Sequence, residues 1–287
     1  IWTKTQADYL FIPTFAATHS GPYLPGSALK GALRTGLVFS RWSPATMEKL
    51  AAAFASDRLP RRPAEGAETA AGASQVRILA AGDSQPVARD TFKVFLTRVA
   101  NLNGSSASWK VAGRGNVPHS KVDESTPLFV EMAAPGTVFS GESFERKFLE
   151  DQQFARALGW RSVPGMDLIL KAANQYASAQ LELHAQFAQA SGFPALQQSI
   201  QRLQEQATAA QNSPTSALLN LGWGGGFLSK TSFLATEDAS FRKILRGIPA
   251  FSRALREGVP FPKTRRVVFA GGQPASLPGW VRVDLAE

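Results

Sequence analysis

Cysteine is absent from the 287 residues, so neither a disulfide nor a thiolate metal site is available to this chain. Histidine is nearly as scarce. His19, His119 and His184 stand far apart, and none falls in a metal-spaced cluster, so no metal and no cofactor is expected. No run reaches the ~18 consecutive apolar residues of a membrane span, and no signal-peptide pattern is visible; the expectation is a cytoplasmic chain without a membrane partner. Acid is the scarcer charge: 22 Asp and Glu stand against 31 Lys and Arg, a formal net charge of +9. That balance favours a polyanionic partner or an acidic surface over a small acidic substrate. With 44% hydrophobic residues, the chain has enough apolar material for a substantial core spread over two domains.

What is present begins with "GPYLPGSALKGALRTGL" at 21–37, a Pro-Gly-Ser turn leading into a helix. Ser27 is the expected N-cap, and Leu29, Leu33 and Leu37 recur at i+4 along Ala28 to Trp42. Lys30, Arg34 and Arg41 fall within roughly 40° of one another on another face. A helix N-terminus followed by a basic stripe has the makings of a phosphate site. The same pattern also fits a half-buried helix with a solvated basic face.

Residues 57–75, rich in Ala, Gly, Pro and Glu, read as a loop or linker. "QVRILAA" at 75–81 and "TFKVFLTRV" at 91–99 read as strands. A polar, Gly-rich stretch follows at 101–125, holding Lys110, Arg114, His119 and Lys121. "TPLFVEM" and "TVFSGESFE" flank Ala134-Pro135-Gly136 as a strand–turn–strand unit. Helical periodicity runs from Met166 to about Ala190 and resumes at Pro194; two short helices are predicted at 238–246 and 249–257. "RRVVFAGG" and "WVRVDL" read as C-terminal strands. No repeat of fixed period and no regular βαβ alternation is present, which points to an α+β class.

"LNLGWGGGFLSKTSFL" at 219–234 is the second stretch that asks for an explanation. Gly222, Gly224, Gly225 and Gly226 let backbone N–H groups approach a partner, Lys230 adds charge, and Trp223 and Phe227 offer rings for base stacking. A P-loop is a poor fit, because Ser229 stands where the motif wants Gly before Lys230-Thr231. A purely structural turn remains the alternative to a loop laid on a nucleic-acid backbone. Arg242, Lys243, Arg246, Arg253, Arg256, Lys263, Arg265 and Arg266 follow within 26 residues, against the single acid Glu257. Next to the glycine loop, they read as one electrostatic track.

Intrinsic chemistry is weakly signposted. His19, Tyr23 and Lys30 form the only local set suited to metal-independent RNA cleavage, in which such groups move the 2′-OH and leaving-group protons; a loop histidine on the surface is the alternative. Asp83 and Asp90 could serve as an acid pair, although Asp83 before Ser84 is equally a turn residue. His184, in a Gln/Ala helical stretch, fits a structural or solvated residue.

Together these stretches resemble a known family. "YLPGSALKGALRTGL" is similar to the signature segment of the RAMP superfamily of CRISPR-associated proteins, and "LGWGGGFLSKT" resembles its C-terminal glycine-rich loop. "AGDSQPV" at 81–87 and "PLFVEMAAPGTVFSGE" at 127–142, in that order, resemble the type III-A Csm-complex subunit that caps the crRNA 3′ end. The resemblance implies tandem ferredoxin-like (RRM-like) modules with a helical insertion and a C-terminal Gly-rich loop. A first module would span 1–160, N-terminally incomplete because only 22 residues precede Tyr23; the helical insertion and second module would span 161–287. It further implies a non-catalytic subunit that contacts crRNA and the repeated backbone RAMP subunits, meets target RNA indirectly and recruits maturation nucleases. The residues expected to hold RNA are Ser27, Lys30, Arg34, Gly222, Trp223, Gly224, Gly225, Gly226, Lys230, Arg242, Lys243 and Arg246. A metal-independent endoribonuclease using His19, Tyr23 and Lys30 is the alternative.

Overall fold

β-branched and aromatic residues alternate along 92–103, and this stretch becomes the longest strand of a mixed helix-and-sheet fold. The computed structural model describes residues 11–55, 64–103, 106–111, 121–252, 254–255 and 261–286. In chain order these form β1 (Ala17–Thr18), β2 (Gly21–Pro22), α1 (Gly26–Phe39), α2 (Pro44–Phe54), α3 (Glu65–Ala70), β3 (Leu79–Ala81), β4 (Phe92–Asn103), β5 (Ser106–Trp109), β6 (Leu128–Ala133) and β7 (Ser143–Glu145). Then come α4 (Gln152–Ala157), α5 (Met166–Ser191), α6 (Pro194–Gln211), β8 (Ser216–Asn220), α7 (Ala239–Arg246), α8 (Pro249–Ser252), β9 (Thr264–Ala270), β10 (Gln273–Ser276) and β11 (Trp280–Asp284).

Every strand pairing among the described residues is antiparallel. In the five-stranded sheet, β4 pairs along one edge with β6 over Phe92–Thr97 and then with β5 over Ala100–Asn103. Its other edge takes β9, with Thr97 opposite Val268 and Asn101 opposite Thr264, and β10 extends the sheet beyond β9. Residues on either side of position 160 thus share one sheet.

Helix α5 is the spine of the core. Ala177, Leu181 and Phe187 pack with Leu196 and Ile200 of α6 and with Ala100, Leu102 and Val267 of the sheet. Nearer its start, Ile169, Leu170 and Ala173 pack with Leu33 of α1 and Ala217 and Leu219 of β8. Each of the leucine, isoleucine, valine and phenylalanine side chains among them contributes roughly 1.5–3 kcal/mol of burial. The 166–210 helical region therefore spends its apolar stripe on its own fold. Buried Asn174 ties α5 to β8: its amide donates to the Ser216 carbonyl (2.9 Å) and its Oδ1 accepts from the Leu218 N–H (2.9 Å).

Four sequence expectations need correction. "QVRILAA" is a strand only from Leu79; Ala73–Ile78 is a 3-10 turn, because buried Gln75 reaches sideways to donate to the Ser162 carbonyl (2.8 Å). The second half of the expected 57–75 linker contains α3, while 56–63 lies outside the described residues. "TVFSGESFE" does not return along β6. Its carbonyls accept from 82–85 instead, from the Gln85 N–H at Ser140 (2.8 Å) and the Gly82 N–H at Glu142 (3.0 Å), and β7 pairs with β3. Finally, α1 ends at Phe39, leaving Arg41 and Trp42 in the following turn. Arg114, His119, Arg253 and Arg256 lie outside the described residues.

Candidate nucleic-acid interface

The Pro-Gly-Ser turn is knitted to "GDS". The Leu24 N–H donates to the Ser84 hydroxyl (2.8 Å), and the Ser84 N–H donates back to the Leu24 carbonyl (2.9 Å). The Gly26 N–H donates to Asp83 Oδ1 (2.9 Å). A side chain at position 26 would overlap the Ala81 and Gly82 carbonyls, so only glycine permits this contact. The anion at the start of α1 is therefore the chain's own Asp83 carboxylate, as the helix dipole favours. Ser27 lies exposed within the first turn and makes no cap hydrogen bond, which corrects its expected N-cap role. Asp83 is spent on this contact rather than on an acid pair with Asp90.

The basic stripe of α1 is largely occupied. Lys30 Nζ donates to the Leu79 carbonyl (2.7 Å), Arg34 pairs with Glu68 (2.6 Å), and Arg41 donates to Gln75 Oε1 (2.5 Å). Burial, and then the charges of Arg146 and Arg77, hold the Lys30 ammonium below the usual lysine range. His19 sits exposed at the β1–β2 turn beside the Ser20 hydroxyl (3.2 Å). Among the described residues no hydrogen bond links His19, Tyr23 and Lys30, and no three His, Asp or Glu side chains gather as metal ligands.

The glycine loop leaves β8 at Asn220 and is better exposed. Leu221 at its foot and Leu24 at the Pro-Gly-Ser turn belong to one apolar cluster, so the two signature loops rise from the same part of the core. Gly222 (φ +81) and Gly226 (φ +70) turn the chain with left-handed backbone, in open space. A side chain at Gly225 would overlap Asn220 Oδ1 and the Ser229 hydroxyl, and one at Gly224 would press on the Pro278 ring (2.8 Å). Internal packing alone thus demands two of the four glycines. Downstream, the Tyr176 hydroxyl and the Gln180 amide, both on α5, anchor the Leu228 carbonyl (2.5 and 2.7 Å).

Trp223 is 42% exposed, and the Arg266 guanidinium lies over its ring, 4.1 Å from the centroid. Arg266 also lines a small cleft with Gly224, Gly225, Asn220, Pro278 and Trp280. At the floor, Arg265 is buried, donating from Nε to His184 Nδ1 (3.0 Å) and from Nη1 to the Pro262 carbonyl (2.6 Å), with Phe187 against its guanidinium. Burial, and then the Arg265 charge, push the His184 imidazole well below its usual range, so it stays neutral and accepts. The expected basic track is accordingly thinner than the sequence implied: Arg265 faces inward and Arg242 pairs with Glu237 (2.7 Å), whereas Lys230, Lys243 and Arg246 are exposed. Asn174 escaped sequence reasoning, as did the contacts of Asp83 with Gly26 and of Arg266 with Trp223, because these depend on partners far along the chain.

No protein-family model matches the chain. Over 284 residues it is 25% identical to the "CRISPR system Cms protein Csm5" of Methanocaldococcus jannaschii, an alignment covering 92% of this chain and 63% of that protein. The chain is similar to Csm5. It spans less than two thirds of that relative's length. Its fold is similar to a chain in the cryo-EM structure of a Csm–crRNA–target RNA ternary complex of a type III-A CRISPR-Cas system: TM-score 0.56, 19% identity, 96% of this chain and 76% of that one. It is also similar to the crystal structure of T. onnurineus Csm5: TM-score 0.52, 20% identity, 95% of this chain and 73% of that one. The resemblance to a type III-A Csm subunit of the RAMP superfamily, read from the motifs, agrees with these likenesses.

Proposed function

We propose that this chain is a non-catalytic crRNA-binding subunit of a cytoplasmic type III-A effector complex, seated at the 3′ guide end. The observation that carries this reading is the glycine-loop face, where an exposed Trp223 and its stacked Arg266 stand beside open backbone turns. A ring and a guanidinium on a glycine loop suit single-stranded RNA, whose bases stack and whose phosphates seek cations. Gly222, Gly224, Gly225, Gly226 and Lys230 form this contact, Lys243 and Arg246 extend it, and Arg242 joins once released from Glu237. Ser27, Lys30 and Arg34 line the neighbouring edge. Backbone RAMP subunits are the protein neighbours, target RNA is met through the guide, and maturation nucleases are recruited rather than replaced. Tandem ferredoxin-like modules are the architecture this reading carries; the segments 1–160 and 161–287 both give strands to the sheet of β4 and β9, so the boundary does not divide that sheet.

The test is guide protection in a reconstituted complex. Trp223→Ala with Lys230→Glu is expected to shorten nuclease protection of the crRNA at its 3′ end while leaving the 5′ end unchanged. Lost protection at the 5′ end alone would place the chain elsewhere in the assembly. Cleavage of repeat RNA in EDTA, abolished by His19→Ala, would replace the non-catalytic reading with an endoribonuclease.

A further inference from the structure

A second cationic centre lies outside the glycine loop itself, around Ile78 and Leu79. Lys30 Nζ rests on the Leu79 carbonyl (2.7 Å), and the Arg146 N–H donates to the Ile78 carbonyl (2.8 Å). Arg77 is the next residue along and is exposed. The Lys30 ammonium and the backbone of Arg146 thus meet at two adjacent backbone units, next to Arg77. Among the described residues, no ion pair reaches Lys30, Arg77 or Arg146. Glu145, opposite Leu79 in the β3–β7 register, is the adjacent acid, and it is exposed without neutralising the group. Mutual repulsion is felt at Lys30, whose ammonium is depressed by both arginines after burial. Like charges held together without counter-ions are relieved by a bound anion.

The same segment exposes aromatic rings. In "SFERKFLE" at 143–150, Phe144 is 65% exposed and Phe148 57% exposed, and Phe148 meets Phe154 edge-on (5.8 Å). Rings interleaved with Arg146 and Lys147 form a surface on which bases stack while cations take the phosphates. We infer that Lys30, Arg77 and Arg146, with Phe144 and Phe148, form a second single-stranded RNA contact, distinct from the glycine loop. This inference rests on the RNA-binding reading above and extends it from Lys30 to Arg77, Arg146, Phe144 and Phe148, which lie outside both signature motifs. It assigns Arg77 and Arg146 to phosphates and the two phenylalanines to bases.

The experiment is fluorescence anisotropy of labelled oligouridine with the full chain over a salt titration. Circular dichroism and thermal melting check each variant. Arg77→Ala with Arg146→Ala is expected to lower the salt slope by about 1.4, at about 0.7 per phosphate for single strands. Phe144→Ser and Phe148→Ser are each expected to weaken binding about tenfold with the slope unchanged. If wild type binds and these variants bind equally with equal slopes, the second contact is refuted and the glycine-loop reading stands. Absence of wild-type binding even at low salt refutes both. Should the phenylalanine variants leave RNA affinity intact yet abolish self-association in sedimentation, the face is a protein interface and the inference falls.

Discussion

The basic helix α1 and the glycine loop looked alike as anion sites, yet the fold treats them in opposite ways. At α1 the helix N-terminus is closed by Asp83, Arg34 is paired with Glu68, and Lys30 holds a carbonyl. At the glycine loop, Arg266 is stacked on Trp223 with no acid partner among the described residues, and Lys230 is exposed. A count of positive residues therefore says little about which of them are available. Availability depends on acids and carbonyls that the fold brings in from 30 to 60 residues away.

The sharpest way to break this contrast is beneath the glycine loop. Arg265→Ala strips partners from His184 and from the Pro262 and Thr264 carbonyls and leaves a void. A loss of about 3 kcal/mol is expected in urea unfolding, at about 1–3 kcal/mol per orphaned group with partial rescue by water. Gly225→Val comes next, at about 1–3 kcal/mol. Because the new side chain meets Asn220 and Ser229, the loop itself should loosen, visible as faster amide exchange across 221–229. An unchanged Gly225→Val protein would mean that the glycine serves a partner alone.

Acid supplies a third test. His184 is neutral in the folded protein because burial depresses its pKa, while the unfolded chain takes up a proton near pH 6.5. The unfolded state then binds more protons, so stability is full above about pH 6.5 and falls below it by up to about 1.4 kcal/mol per pH unit. His184→Gln should remove that component of the pH dependence; an identical pH profile would show that His184 titrates alike in the folded and unfolded chain. The smallest effect belongs to α1. Glu68→Ala should cost under about 1 kcal/mol, since its pair with Arg34 is part-exposed. Freed from Glu68, Arg34 should bind RNA more tightly and with a steeper salt slope, bringing α1 closer to the glycine loop.

Elements with a clean period were legible in the sequence. The β-branched run of β4, the C-terminal β9 and β11, and the helices from Met166 and Pro194 all form where the pattern places them. Illegible were features whose cause is non-local. β7 pairs with β3 in continuation of the bonds from the Gly82 and Gln85 N–H groups to 140–142, and no local signal in "SFE" names that partner. Asp83 reads as an ordinary turn residue until Gly26 is beside it. Arg265 sits in a basic run that reads as solvated, and only the β9 register turns it inward to His184. The motifs themselves were legible as a set, although their convergence on shared loops was not.

The register of β4 has a consequence for synthesis. Its Thr97–Asn101 edge waits for Thr264–Val268, about 160 residues later in the chain, or roughly 8–32 s at about 5–20 residues per second. During that interval a long apolar strand leaves the ribosome with one side unmatched, which is the geometry that invites pairing with a stranger. Slowing elongation late in the message should therefore lower soluble yield more than slowing it early, because the delay then falls while the edge stands bare.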